Sequence, residues 1–487
     1  MLTKLTSTRQ TEHDNPAKKT EKLKDVFIKS EDVQFKEHKV NLETLTLIYI
    51  ESLINPNDLD QYILPKLGEN LNKSVKENLL ASFQAEDITS KTNEELSNCL
   101  LEGKTLFQLE DVILCLNTAN MPNRQPEESA VETSIRGPKD GFVEDIKINI
   151  SLVRRRLNTP TLCLEKFNIG RRSNTKVAIM YLEDVIDPIV LEEIRSRLNK
   201  VQLDILINIY DLESFIRDKP FSIFPTIDYT GRPDFIAHAL NQGRFALLVD
   251  GNPTVSYAPI SLLLQTKSPE DMYNNFAYVS LERIIRFFGV IVTGFLPGIW
   301  VAFSAFNIDQ IPYFLVATIS VSRFGIPFSA TIEMFIVLFL FELFNEAGIR
   351  LPRAIGQTVA VLGGLIVGDA AIRAGLTSPT MLVVAAITYI SSFTLVNQSL
   401  TSAFTIIRFF ILLLSTLFGL FGVILGFIIT ILYLSTLTSF GVPYLGSLAP
   451  ISGTEALKAF LKLPRQLNRR RTSETSPEDS SRGGTSS

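Results

Sequence analysis

The sequence predicts an α/β N-terminal cytosolic region of two related subdomains, followed by an all-α, multi-spanning membrane domain. Three observations predict it. The chain is polar and charged, with short β-rich runs, up to about residue 280, after which long apolar stretches take over. Two runs in the polar half resemble each other: LIYIESLINPNDL at Leu47–Leu59 and IMYLEDVIDPIVL at Ile179–Leu191 align Tyr49 with Tyr181, Glu51 with Glu183 and Pro56 with Pro188. In the apolar half, LPRAIGQTVAVLGGLIVGDAAIRAGLTSP (residues 351–379) places Gly356, Ala360, Gly364 and Gly368 four apart, on one stripe of a membrane helix where another backbone can approach closely.

The bulk properties exclude several functions. The 487 residues carry a net charge of −4, and no basic stripe interleaved with aromatics appears, so nucleic acid is excluded as a partner. Cys99, Cys115 and Cys163, with His13, His38 and His238, show no zinc or redox spacing, so neither metal nor cofactor is expected, and the thiols suit a reducing, cytosolic compartment. The opening MLTKLTSTRQTEHDNPAKK lacks the apolar core of a secretory signal, which keeps the polar half on the cytosolic side. No Gly-rich phosphate loop, HExxH, GxSxG or CxxC is present, so the chain is read as not an enzyme.

In chain order, residues 1–31 read as a disordered arm, too poor in large apolar side chains to offset the entropy of ordering. Residues 32–120 form the first α/β subdomain, with a strand at Leu45–Ile50 and a helix at Asp58–Leu67 capped by Asn57 or Asp58. The proline-containing residues 121–141 are a linker, and residues 142–265 form the second subdomain. That subdomain opens with a helix over Phe142–Leu157 whose Arg154-Arg155-Arg156 complement the helix dipole as a solvated run, the alternative being contact with acidic lipid or a partner. Gly103 and Gly243 each follow a predicted helix and precede a strand, TLFQL and FALLVD, as left-handed helix caps. Arg232-Pro233-Asp234 opens a further helix, and Phe245–Val249 is the last strand, leading into the Asp250–Pro253 turn.

Residues 281–445 are the membrane domain, with five to six helices. Ile284–Phe306 is long enough to span, with a kink at Pro297-Gly298 and Trp300 as an interfacial anchor. Pro312–Ser322 is too short to span alone; Phe324–Phe344, Ala354–Ile372 and Thr380–Asn397 span, and Ala403–Leu434 exceeds one crossing. After them, Lys458, Lys462, Arg465, Arg469, Arg470 and Arg471 make residues 446–487 a basic, disordered cytosolic tail. Both ends inside require an even number of crossings, whereas five are clear. Either Pro312–Ser322 crosses, or Ala403–Leu434 is a hairpin broken near Gly419, Gly422 and Gly426. Among the intramembrane charges, Asp369 and Arg373 sit four apart, and Glu333 lacks a local partner. Glu333 is therefore the first candidate for an acid lining a polar route, with Glu342 and Asp369 next; the competing account is a salt bridge between helices to Arg323 or Arg408.

A set of motifs adds a family resemblance. GPKDGFVEDIKINISLVRRRL, NIGRRSNTKVAIMYLEDV, FPTIDYTGRPD, LVDGNPTV, SPEDMY, SRFGIPF, LFNEAGIRLPRAIGQ and SFGVPYL, spread from about Gly137 to Pro450, resemble the A subunit of the spore germination receptors of endospore-forming bacteria. The resemblance implies a spore inner-membrane protein, with its N-terminal region and tail facing the spore core, that works with a transporter-like B subunit and a lipoprotein C subunit. It further implies a homo-oligomer forming a nutrient-gated cation channel whose opening starts germination, the nutrient being recognised by another subunit. On that reading Gly356, Ala360, Gly364 and Gly368 pack against neighbours in the lipid bilayer, while Thr358, Val361, Leu365 and Asp369, on other faces of the helix, are candidate pore-lining residues. The alternatives are a secondary transporter for a small solute, which inverted repeats in the membrane half would favour and which are not found, and a scaffold without a pore.

Overall fold

The computed structural model describes residues 15–40, 43–69, 74–119, 134–350, 368–446, 460–464, 466, 471–479 and 481. They fall into two compact units, one drawn from Met1–Arg217, Ile227–Pro259 and Arg469–Ser487, the other from Asp218–Thr226 and Ile260–Asn468.

In the first unit, the apolar run at 45–50 makes a strand that is buried on both faces. Side chains alternate along a strand, so Leu45, Leu47 and Tyr49 join one apolar cluster and Ile48 and Ile50 another. This strand, β2 (Glu43–Ile50), lies in an antiparallel sheet of order β1-β2-β4-β5-β3, with β1 (Val33–Val40), β3 (Glu86–Asp87), β4 (Lys104–Gln108) and β5 (Ile113–Asn117). One face is covered by α1 (Pro16–Val26) and α4 (Asn93–Leu101) through Leu23, Leu96 and Leu100. The other is covered by α2, which runs through Pro56–Asp58, a π-helical Leu59–Ile63 and Leu64–Glu69, and by α3 (Val75–Ser82), through Leu59, Ile63, Leu67 and Leu79.

The same architecture recurs five strands later. β6 (Leu162–Ile169), β7 (Thr175–Leu182), β8 (Asp228–Thr230), β9 (Phe245–Val249) and β10 (Val255–Ala258) form a sheet of order β6-β7-β9-β10-β8. Register agrees as well: β1 pairs with β2 from Val33↔Ile50 to Val40↔Glu43, and β6 with β7 from Leu162↔Leu182 to Ile169↔Thr175. The helices are α5 (Ile146–Arg154), α6 (Pro188–Lys200), α7 (Ile209–Ile216) and α8 (Pro233–Leu240). Gly103 after α4 and Gly243 after α8 hold φ of +82° and +78°, the left-handed caps expected.

Four expectations for this unit change. Residues 16–26, placed in a disordered arm, are helical: α1 packs on α4 as α5 packs on α8, Leu23 is fully buried, and Lys19 Nζ donates to the Thr89 and Lys91 carbonyls at 2.6 and 2.8 Å. An average over the window hides this, because a helix resting on a formed sheet needs few apolar positions. The cap of α2 is Asn55, whose side chain accepts from Asn57 N at 3.2 Å, with Pro56 at the first helical position. Arg154 is buried rather than solvated: its Nε and Nη2 donate to Asp32 at 2.6 and 2.5 Å, and Ser52 Oγ donates to the same carboxylate at 2.9 Å. And β10 follows Phe245–Val249, which is thus not the last strand.

The Asp32–Arg154 pair joins the two subdomains, because Asp32 precedes β1 and Arg154 ends α5. Beside it, Glu31 N donates to the Leu164 carbonyl at 3.0 Å, and Leu164 N donates to the Lys29 carbonyl at 3.2 Å, so 29–31 runs along the β6 edge. Glu51 receives Lys147 at 2.8 Å and Lys166 at 3.2 Å. Burial raises the Glu51 pKa, but the two ammonium groups outweigh it and hold the carboxyl below its ordinary range. The tail also departs from expectation, since residues 471–479 lie along the second subdomain. Arg471 Nε donates to the Asn241 carbonyl at 2.8 Å, Thr475 Oγ1 to the Gln242 carbonyl at 2.7 Å, and Glu478 N to Val185 at 3.1 Å. This contact is built from hydrogen bonds, several to carbonyls left free at the end of α8, so hydrophobicity did not announce it.

The second unit contains α9 (Phe276–Val301), continued by a π-helical Ala302–Phe306, then α10 (Tyr313–Ser322), α11 (Ala330–Arg350), α12 (Pro379–Ser392) and α13 (Gln398–Ser435), with a further helical stretch at 368–373. Two of these, Phe276–Phe306 and Gln398–Ser435, are long and apolar enough to cross a membrane. The boundaries differ from the expected spans. α11 begins six residues after Phe324, because Gly325 (φ +88°) and Pro327 break the chain there, and α12 stops at Ser392, five residues before Asn397. Trp300, expected at an interface, is partly buried against the cluster of Val301, Met334, Leu338 and Leu412.

α13 doubles back. Gly419 sits at φ 61°, ψ −137°, outside the helical region. A Cβ on Gly422 would stand 2.1 Å from the Leu414 carbonyl oxygen, and one on Gly426 2.6 Å from Ile411 Cδ1. In a straight helix residues 411 and 426 would be about 22 Å apart. Phe224 also touches Phe404 and Tyr433 together, with ring centroids at 5.4 and 6.1 Å. The long apolar run is therefore a hairpin turning at Gly419.

Candidate functional site

In the helical unit many large apolar side chains are exposed, and several polar and charged ones are enclosed beside an apolar core. Exposed positions include Phe288, Phe339, Ile390, Leu417, Phe421 and Leu432, whereas Thr293, Glu333, Thr388, Arg408, Ser415 and Thr430 are buried. Among the charges, Glu333 is the most enclosed, with 0% of its surface exposed.

Glu333 lies in the first turn of α11, and its partners come from two other places in the chain. Its Oε1 accepts from Ser378 N at 2.5 Å, Ser378 Oγ at 2.6 Å and Thr377 Oγ1 at 3.1 Å. Ser378 is the N-cap of α12, so the carboxylate sits on the positive end of that helix. Arg323, from the SRFGIPF motif, approaches Oε2 at 3.7 Å, and Ser322 Oγ lies 3.2 Å from Thr380 Oγ1. Glu333 was expected to lack a local partner; it is the junction of three chain segments. The second acid, Glu342, pairs with the buried Arg408 of α13. Nine residues separate the two acids, about 13 Å along α11 and half a turn around it, so they face different neighbours. The competing expectation was a salt bridge between helices to Arg323 or Arg408; Arg323 lies beside Glu333, and Arg408 beside Glu342.

Asp369 and Arg373 form an ion pair at 2.8 Å on the exposed helical stretch 368–373, their side chains 59% and 79% exposed. Gly368 is described, and a Cβ there would meet Leu382 Cδ2 at 3.2 Å. Gly356, Ala360, Gly364, Thr358, Val361 and Leu365 lie outside the described residues.

Two further pairs of glycines have the same spacing, a packing role that sequence reasoning did not assign to them, although it named Gly298 at a kink and Gly422 and Gly426 at a hairpin break. Gly294 and Gly298 of α9 meet Phe404 and Ile411, and Ser415 Oγ donates to the Gly298 carbonyl at 2.7 Å. Gly422 and Gly426 close the hairpin. The signal was the four-residue interval itself, which puts small residues on one face of a helix and lets another backbone approach.

Two motifs separated by more than two hundred residues meet at the open end of the hairpin. Phe224 and Thr226 of FPTIDYTGRPD pack on SFGVPYL, whose residues lie in the two-stranded β11 (Thr438–Ser439) and β12 (Val442–Pro443) and just after: Ser439 Oγ donates to the Thr226 carbonyl at 2.6 Å, and the Phe224 and Tyr444 rings lie 6.3 Å apart. Elsewhere in the unit, Asp271 of SPEDMY is buried and accepts from Arg283 Nε and Arg286 Nη1, both at 2.9 Å. Lys462 Nζ donates to the Asp271 and Asn274 carbonyls at 2.5 and 2.9 Å, and burial, then Arg283, pushes its pKa below the lysine range.

Residues 21–474 match the model of the Bacillus/Clostridium GerA spore germination protein family. The chain belongs to that family. Among its relatives, spore germination protein XA of Bacillus anthracis is 40% identical over 90% of this chain and 91% of its own. Spore germination protein KA of Bacillus subtilis (strain 168) is 33% identical over 93% of this chain and 86% of its own. A solved structure, the N-terminal domain of the A subunit of the Bacillus megaterium spore germinant receptor GerK3, is 28% identical, covers 49% of this chain and 92% of that one, and aligns with a TM-score of 0.38. The match to the GerA model takes in the second half of α1 and ends at Glu474, within the tail contact, so it overlaps both stretches that composition had assigned to disorder.

Proposed function

We propose that this GerA-family chain is the A-type subunit of a nutrient germinant receptor, set in the spore inner membrane by a multi-pass helical unit, and that copies of it assemble into a nutrient-gated cation channel which triggers germination. The observation that carries the reading is the inside-out helical unit, in which apolar side chains face outward while Glu333, Glu342 and Arg408 are bonded within. A soluble helical protein would gain nothing from that distribution; lipid rewards it. The hairpin supports six crossings by α9, α11, the expected 354–372 span, α12 and the two arms of α13. An even count leaves both termini on the core-facing side, as the basic residues after the last helix favour.

Within this reading, Glu333 and Glu342 brace the helices, and the ion route belongs to the small-residue helix, with Thr358, Val361, Leu365 and Asp369 toward the pore. Gly356, Ala360, Gly364 and Gly368 pack it against neighbouring helices. A transporter-like B subunit and a lipoprotein C subunit complete the receptor, and nutrient occupancy of the B subunit shifts the oligomer from closed to open.

The test is monovalent-cation release from spores exposed to nutrient, comparing the native chain with Val361→Phe and Val361→Ala at matched protein levels. Release blocked by the bulky residue and spontaneous with the small one is the expected outcome. Unchanged release in both moves the route to another helix or favours the scaffold without a pore.

A further inference from the structure

At the open end of the α13 hairpin, the segment Asp218–Thr226 belongs to the helical unit although the residues on either side of it in sequence do not. It is fastened at both ends. Asp218 accepts from Thr438 Oγ1 at 2.5 Å and Phe440 N at 3.1 Å, while the Thr226 carbonyl accepts from Ser439 Oγ at 2.6 Å. Between these, Lys219 Nζ donates to the Thr436 carbonyl at 2.7 Å, at the C-terminal end of the second arm where free carbonyls favour a cation. Ile223 N donates to Tyr433 Oη at 3.0 Å, and Phe224 is fully enclosed.

What this frame holds up is apolar. Ser222 N donates to the Lys219 carbonyl at 3.1 Å, closing a β-turn with Pro220 and Phe221 at its centre, and Pro at that position fixes the turn. Phe221 at the tip is 98% exposed, and Ile223 42%. A phenylalanine held out by six anchored neighbours is not an accident of a loose loop. The arm beneath the turn continues the same surface, since Ile428, Ile431 and Leu432 are exposed up to the residue before Tyr433, whose hydroxyl touches the turn.

We propose that the Pro220–Phe221 turn is a lipid-interface anchor: Phe221 and Ile223 enter the boundary between headgroups and acyl chains, level with Tyr433 and Lys219. The occupant is lipid because the exposed apolar surface of the turn is continuous with that of the arm, and because an aromatic tip flanked by lysine and tyrosine matches the chemistry of that layer. This rests on the reading of the helical unit as membrane-spanning, and it adds a contact that no helix supplies. It makes the end of the hairpin a point where lipid and the packing of two sequence-distant motifs are mechanically joined.

The experiment uses the full chain reconstituted in vesicles of phosphatidylcholine and phosphatidylglycerol. Trp300, the single tryptophan, is replaced in a Trp300→Phe background, into which Phe221→Trp or Ile428→Trp is introduced. Because residue 221 is exposed, the new indole has room without repacking. With Phe221→Trp, the expected result is blue-shifted emission and loss of intensity with lipids brominated near the glycerol backbone. With Ile428→Trp, at mid-arm, the loss should come from lipids brominated deep in the acyl chains. Emission at 221 that is quenched by aqueous iodide and untouched by brominated lipid overturns the anchor. So does emission shielded from both quenchers, which would mean that protein covers the turn. If Ile428→Trp also ignores brominated lipid, the membrane-spanning reading itself fails.

Discussion

At the scale of single residues, several enclosed charges among the described residues are held by partners remote in sequence. Asp32 and Arg154 are 122 positions apart, and both are almost fully buried. Replacing one partner of such a pair leaves the other desolvated and uncompensated, a loss of roughly 3–5 kcal/mol, whereas replacing both with apolar residues costs far less. Asp32→Ala should therefore lower the stability of the full chain by that amount in denaturant unfolding, and Asp32→Ala with Arg154→Leu should recover a large part of it. Equal losses in the single and double variants would mean that the pair does not couple the subdomains. The sequence showed these residues only as members of charged runs. A search for partners three or four positions away finds Asp369 and Arg373, which are exposed, and passes over Glu333, whose partners Arg323 and Ser378 arrive from separate elements.

At the scale of elements, the internal repeat was the most legible feature, and its cause is visible at Gly103 and Gly243. Each ends a helix with a left-handed residue and turns the chain directly into a central strand, so the position tolerates little else. Around Gly243 the constraint is tighter, because a Cβ would stand 3.3 Å from the Val185 carbonyl and 3.2 Å from Thr475 Oγ1 of the tail. Gly243→Ala should cost about 1–2 kcal/mol from backbone strain alone. It should also loosen the tail, read as faster proteolytic trimming beyond residue 470 in the purified full chain. Loss of stability without faster trimming would assign the glycine to the turn only. The elements that escaped sequence reasoning, α1 and the 471–479 contact, share one property. Each relies on a surface already built by other elements, through Leu23 and Lys19 in one case and Arg471 and Thr475 in the other, so neither carries a strong pattern of its own.

At the scale of the whole molecule, the number of crossings that the proposed membrane reading requires turns on one glycine. A straight helix of the length of Gln398–Ser435 would be about 57 Å long, nearly twice the hydrocarbon core of about 30 Å. Length alone therefore demanded a bend, and the glycines marked three places for it; only the backbone at Gly419 decided among them. The turn meets the far end of α9, where Asn307 Oδ1 accepts from Leu420 N at 3.4 Å and a Cβ on Gly419 would stand 3.1 Å from Phe306. Gly294 lies against Phe404 and Gly298 against Ile411, so α9 and the first arm run parallel and end together. Gln398 and Ser435 should then open on one side of the membrane and Asp309 on the other. The three native thiols are buried, so a membrane-impermeant maleimide reads introduced cysteines against a low background. In sealed vesicles, Gln398→Cys and Ser435→Cys should label from the same side, and Asp309→Cys from the opposite one. Labelling of Gln398→Cys and Ser435→Cys from opposite sides would make α13 a single crossing, return the count to an odd number, and place the two termini of the chain in different compartments.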